Sequence, residues 1–106
     1  MCGILGQIDC SAKTKWNKKL FSEALFLQKH RGPDGSGIEK GNKFIFGHQR
    51  LSVIDLDERA NQPMLSRDEQ VVLVFNGEIY NYVELREVLI KKGYKQLKND
   101  NKLDFL

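Results

Sequence analysis

Residues 71–82 read VVLVFNGEIYNY. The first six, VVLVFN, are β-branched and almost continuously apolar, the pattern of a strand covered on both faces. Asn76-Gly77 predicts a tight turn after that strand, because this pair tolerates the left-handed backbone that short hairpins need. The NGEIY segment then supplies a short return strand. Asn81 is placed to cap a second helix, with Glu84 three positions on in capping-box register. Leu85, Val88 and Leu89 are the expected buried stripe of that helix, which ends at Gly93.

On the N-terminal side, residues 57–69 are polar, contain Pro63 and read as loop. Residues 43–48, KFIFGH, and 50–56, RLSVIDL, read as two strands. Residues 30–37, HRGPDGSG, are so dense in turn formers that regular structure is excluded there. Residues 16–30 are helical in pattern: Trp16, Leu20, Ala24 and Leu27 recur at spacings of three and four, with Phe21 and Leu25 widening the stripe. Residues 3–9, GILGQID, form a short first strand. The tail, residues 94–106, is polar and weakly patterned. Strand, helix, several strands, helix is an α+β order.

The chain has 106 residues, which suits one small domain, residues 1–106. Its formal net charge is +3, mixed along the chain, with no basic stripe interleaved with aromatics, so no nucleic-acid partner is expected. Lys91, Lys92, Lys95 and Lys98 are read as a solvated face. The two cysteines, Cys2 and Cys10, form neither a disulfide framework nor a zinc-like pair, and no metal site is expected. No leader pattern and no apolar run of spanning length is visible, so no membrane association is expected and the reducing cytoplasm is the expected location.

Cys2 has an option closed to any internal cysteine. If Met1 is removed, its α-amine, with a pKa of about 8, sits beside its own sulfur as a base. The alternative is that Cys2 merely begins a buried strand, as free cysteines often do.

Four stretches, MCGI at 1–4, HRGPDG at 30–35, GHQRLSVIDL at 47–56 and FNGEIYNY at 75–82, occur in order. Together they resemble the glutaminase domain of class II glutamine amidotransferases, most closely that of the glutamine-hydrolysing asparagine synthetases. The resemblance runs from Met1 to about Gly93. It implies a four-layer αββα sandwich of the N-terminal-nucleophile hydrolase type, of which about the first half is present. It implies that Cys2, freed from Met1, attacks the side-chain amide of L-glutamine. It assigns Asn76 and Gly77 to the oxyanion, a role that merges with the turn reading, since a turn can present a side-chain amide and a backbone N–H to one oxygen. It assigns Arg50 to the substrate α-carboxylate, against the alternative of a solvated strand-end arginine.

Leu51, Val53 and Ile54 would wall the pocket, although core packing explains them equally well. Glu78 would face the substrate ammonium, or else is a surface glutamate. Asp100 can be laid on the family's amine-binding aspartate. His30 belongs to the HRGPD loop and is read as structural, and Cys10 is given no chemical role.

The expected function is hydrolysis of L-glutamine to glutamate and ammonia for asparagine synthesis. The alternative is a non-catalytic fragment or interaction module of an asparagine synthetase. The resemblance also implies a following synthetase domain or subunit, to which ATP and magnesium belong. No phosphate-cradling glycine loop is visible and no cofactor is expected in this segment. The chain is read as truncated at Leu106.

Overall fold

A computed structural model of the chain describes residues 1–52 and 60–94. The elements are β1 (Gly3–Ile8), α1 (Lys18–Phe26), β2 (Gly35–Lys40), β3 (Phe44–Arg50), β4 (Met64–Leu65), β5 (Val72–Leu73) and α2 (Tyr82–Lys91). The fold is mixed α/β with antiparallel sheets. One sheet has the order β1-β3-β2, and β4 and β5 pair in a second.

β3 is the centre of the first sheet and organises everything else. Side chains alternate across a strand, so Ile45, Gly47 and Gln49 share one face and Phe44, Phe46, His48 and Arg50 share the other. α1 packs on the first face. Asn17 caps its start, accepting from Leu20 N–H at 3.0 Å, and the helix buries Phe21 and Leu25. Gly47 makes this possible: a Cβ there would lie 2.8 Å from Leu25 Cδ2 and 2.9 Å from Phe21 Cε1. Leu25 and Ile45, each 1% exposed, are the centre of the small apolar core. The Gln49 amide points at the helix end. In one orientation it donates to the Leu25 carbonyl at 3.3 Å, and in the other it reaches the Gly32 and Gly35 carbonyls at 3.2 and 3.3 Å.

Several expectations are corrected. α1 is shorter than residues 16–30, and its stripe is centred on Phe21 and Leu25, while Leu20 and Leu27 are exposed. Trp16 precedes the helix and donates to the Gly41 carbonyl at 2.7 Å. Residues 35–37, expected to be irregular, begin β2. Glycine there signals close approach rather than a turn, because a Cβ on Gly37 would fall 2.1 Å from the Gln62 carbonyl oxygen. β3 runs unbroken through Gln49 to Arg50; Leu51 and Ser52 are outside any strand, and residues 53–56 of the expected second strand lie outside the described residues.

Only Val72 and Leu73 of VVLVFN form a ladder, paired with Leu65 and Met64. No return strand follows among the described residues. A strand forms only where a partner strand lies alongside, and β4 is two residues long. α2 starts after Asn81 as expected, but without a side-chain cap hydrogen bond and with none of its residues buried. The Leu85, Val88 and Leu89 stripe therefore faces no core among the described residues.

Candidate active site

The second face of β3 looks into a cleft of about 480 Å³. β1 sets Gly3 opposite Gln49 and Ile4 opposite His48. Extending this register by one residue places Cys2 opposite Arg50, on the cleft face. The Cys2 sulfur accepts from the Leu51 backbone N–H at 3.4 Å and lies 3.9 Å from the Leu51 carbonyl oxygen. The Arg31 Nε donates to the Cys2 carbonyl at 3.3 Å, fixing the backbone on the other side.

The loop at residues 30–35 locks this end of the sheet. Asp34 N–H donates to the Arg50 carbonyl at 2.9 Å, and its carboxylate accepts from Ser52 N–H at 2.8 Å. His30 lies away from the cleft, exposed, with Nδ1 3.0 Å from the Leu27 carbonyl oxygen. Cys10 is exposed.

Arg50 is buried, and its Nη1 donates to Asn61 Oδ1 at 3.0 Å. Asn61 comes from the segment that crosses the cleft face of β2 at Gly35 and Gly37. The guanidinium is thus held at the cleft wall in a defined pose, and its planar fork is the shape that grips a carboxylate with two parallel hydrogen bonds.

The far wall is the segment after β5. Asn76, Gly77 and Glu78 all line the cleft, and all three are exposed. Cys2, Arg50, Leu51, Asn76, Gly77 and Glu78, drawn from three separate stretches of chain, therefore border one cavity. Val53, Ile54 and Asp100 lie outside the described residues. Met1 also lines the cleft and is 75% exposed.

The sequence reading gave no role to His48, Gln62 or Asn61. His48 is 1% exposed and lines the cleft, with Nε2 3.3 Å from the Phe75 carbonyl oxygen and Nδ1 without a hydrogen-bond partner. A signal was available: His48 is two residues from Arg50, so both share a strand face, but dividing residues 43–56 into two strands hid that parity. Gln62 and Asn61 carry no comparable signal, because loop residues reach their partners through tertiary placement alone. Among the described residues, no group of three His, Cys, Asp or Glu is placed to hold a metal ion, and no helix is long and apolar enough to cross a membrane.

Burial pushes the His48 pKa below the ordinary imidazole value; its bond to the Phe75 carbonyl opposes this and the Arg50 charge adds to it. The folded chain therefore prefers the neutral ring. As pH falls through about 6.5 the unfolded chain takes the proton first. The stability contribution is complete above that pH and lost below it, levelling once the folded ring is also protonated. Denaturant titrations at pH 7.5 and 5.5 should show wild-type stability falling on acidification, with a smaller fall in His48→Leu. Equal falls would contradict this assignment.

The sequence matches the glutamine amidotransferase domain family over residues 1–101. It is 43% identical over 96 residues to asparagine synthetase [glutamine-hydrolyzing] 1 of Bacillus subtilis (strain 168), covering 89% of this chain and 15% of the relative. It is 42% identical over 89 residues to the asparagine synthetase [glutamine-hydrolyzing] of Brassica oleracea, covering 84% of this chain and 15% of the relative. The chain thus spans about 15% of the length of these curated relatives.

Proposed function

Because the chain belongs to the glutamine amidotransferase domain family, we propose that its cleft hydrolyses L-glutamine to glutamate and ammonia, with Cys2 as nucleophile. The observation that carries this reading is the meeting of Cys2, Arg50, Asn76 and Gly77 on one cavity. The fold that would complete it is the four-layer αββα sandwich of N-terminal-nucleophile hydrolases, and the mixed α/β architecture supports that reading.

The chemistry requires Met1 to be removed. Met1 is largely exposed, so excision meets no packing barrier, and it both frees the α-amine of Cys2 and vacates part of the cleft. The amine takes the thiol proton as sulfur attacks the substrate amide carbon. Negative charge moves to the carbonyl oxygen, where the Asn76 side-chain amide and the Gly77 N–H donate to it. The C–N bond breaks as nitrogen takes the proton back from the amine, and ammonia leaves. Water then attacks the thioester and gives its proton to the amine. The C–S bond breaks, the thiol recovers that proton and glutamate departs.

Arg50 holds the substrate α-carboxylate. Leu51 walls the pocket and Glu78 faces the ammonium, and the family resemblance gives Val53 and Ile54 the first role and Asp100 the second. Ammonia formed here would serve asparagine synthesis through a synthetase domain or subunit carrying ATP and magnesium, in the cytoplasm.

The test is release of glutamate and ammonia from L-glutamine by the chain after Met1 removal; a folded, Met1-free chain that releases neither would overturn the reading. Arg50→Leu is expected to raise KM for L-glutamine about 10–100-fold with a smaller change in kcat, since hydrogen bonds between charged groups contribute about 1.5–3 kcal/mol. Wild-type enzyme should discriminate by a similar factor against a primary amide lacking the α-carboxylate. An unchanged KM in Arg50→Leu would remove the residue from substrate binding.

A further inference from the structure

The main chain of Phe75 is held from two directions. Its N–H donates to Gln62 Oε1 and its carbonyl accepts from Gln62 Nε2 at 3.0 Å. One side-chain amide thus satisfies both backbone groups of the residue, as a neighbouring strand would in an antiparallel pair. His48 Nε2 approaches the same carbonyl oxygen at 3.3 Å from the floor of the cleft. That contact places the ring hydrogen on Nε2, which the neutral, buried imidazole can supply.

The location of this grip matters. The β5 ladder ends at Leu73, and Phe75 is the residue immediately before Asn76 and Gly77. Those two are exposed, so burial does not fix them. Gln62 is itself fixed, because its carbonyl oxygen is seated against the backbone of β2 at Gly37 and the next residue, Pro63, packs beside it. His48 is fixed by its place in the central strand.

We propose that Gln62 and His48 are positioning residues that clamp the Phe75 backbone and so aim the Asn76 and Gly77 donors into the cleft facing Cys2. The clamp rests on the amidase reading for its role in turnover. Neither residue touches the reacting atoms. Oxyanion donors work only within about 2.7–3.1 Å of the developing charge, and misplacing a reacting group by about 1 Å costs roughly a hundredfold in rate. Arg50 has a bond of its own, to Asn61, and neither clamp substitution removes that bond. Loosening it therefore lowers kcat and spares KM.

The experiment uses the full, Met1-free chain and two readouts. Gln62→Met keeps the side-chain volume and removes both hydrogen bonds. It should speed exchange of the Phe75 amide hydrogen about tenfold or more and lower kcat for L-glutamine about 10–100-fold, with KM within about twofold. Gln62→Glu retains an acceptor for the Phe75 N–H and should restore its protection. Unchanged Phe75 exchange in Gln62→Met, or kcat and KM shifting together, would overturn the clamp. If Gln62→Met does not fold, His48→Leu deletes the second donor alone and should show the same kcat-specific loss; an unaltered kcat there would overturn it. If the wild type does not hydrolyse glutamine, the amidase reading falls, and the exchange measurement by itself decides whether the clamp exists.

Discussion

Cys2→Ala is expected to lower glutamate release from L-glutamine by at least about a thousandfold, to background, while leaving the fold and glutamine binding in place. The loss is this large because the sulfur does what no neighbour can. An amide is a poor electrophile with a poor leaving group, and among the described residues the only other thiol, Cys10, is exposed and lies beyond the end of β1. The fold should survive because Cys2 is only half-buried and precedes β1, and among the described residues its sulfur makes two weak contacts, both to Leu51. Cys2→Ser should show greatly reduced turnover, since the hydroxyl is a much weaker nucleophile at neutral pH. Cys10→Ala should match wild type. Retention of more than a few per cent of activity in Cys2→Ala would place the chemistry elsewhere.

Gly32→Ala is expected to be strongly destabilising for a single added methyl. A Cβ there would lie 2.2 Å from the Gln49 carbonyl oxygen and 2.7 Å from the Arg50 carbonyl carbon. Those atoms are the backbone of the central strand and cannot rotate away, unlike the side-chain tips around Gly47. Overpacking of this kind costs about 3 kcal/mol, a large share of a small domain's stability, and should lower Tm by roughly 10–20 °C. The site should suffer as well, because displacing this loop breaks the bonds from Asp34 to Arg50 and Ser52 and from Arg31 to Cys2. A thermal melt within a few degrees of wild type would show that the loop does not rest on β3 as described.

The candidate site was more legible in the sequence than the fold was. The candidate residues rest on the family resemblance: MCGI, GHQRL and FNGE occur in the family's order, whereas each alone reads as a strand start, a strand-end arginine or a turn. All of those that fall on described residues border one cleft. Strand and helix limits depend instead on neighbours. β2 was hidden because Gly35 and Gly37 look like turn residues, when they are places where Asn61 and Gln62 press against the strand. β5 was overdrawn because a β-branched run shows propensity, while ladder length is set by the partner, here two residues. The α1 stripe was centred one position off, since Leu20 and Phe21 are adjacent and only Gly47 opposite decides which of them enters the core. Gln62 could not have been singled out: nothing local distinguishes a glutamine that grips a backbone thirteen residues away.

The most direct measurement is to mix the chain with L-glutamine, quench in acid during turnover and locate modifications by peptide mass spectrometry. A γ-glutamyl thioester on Cys2, confined to molecules that have lost Met1 and absent from Cys10, is the predicted result. Glutamine turnover by molecules that keep Met1, or turnover with no acyl group on Cys2, would contradict it.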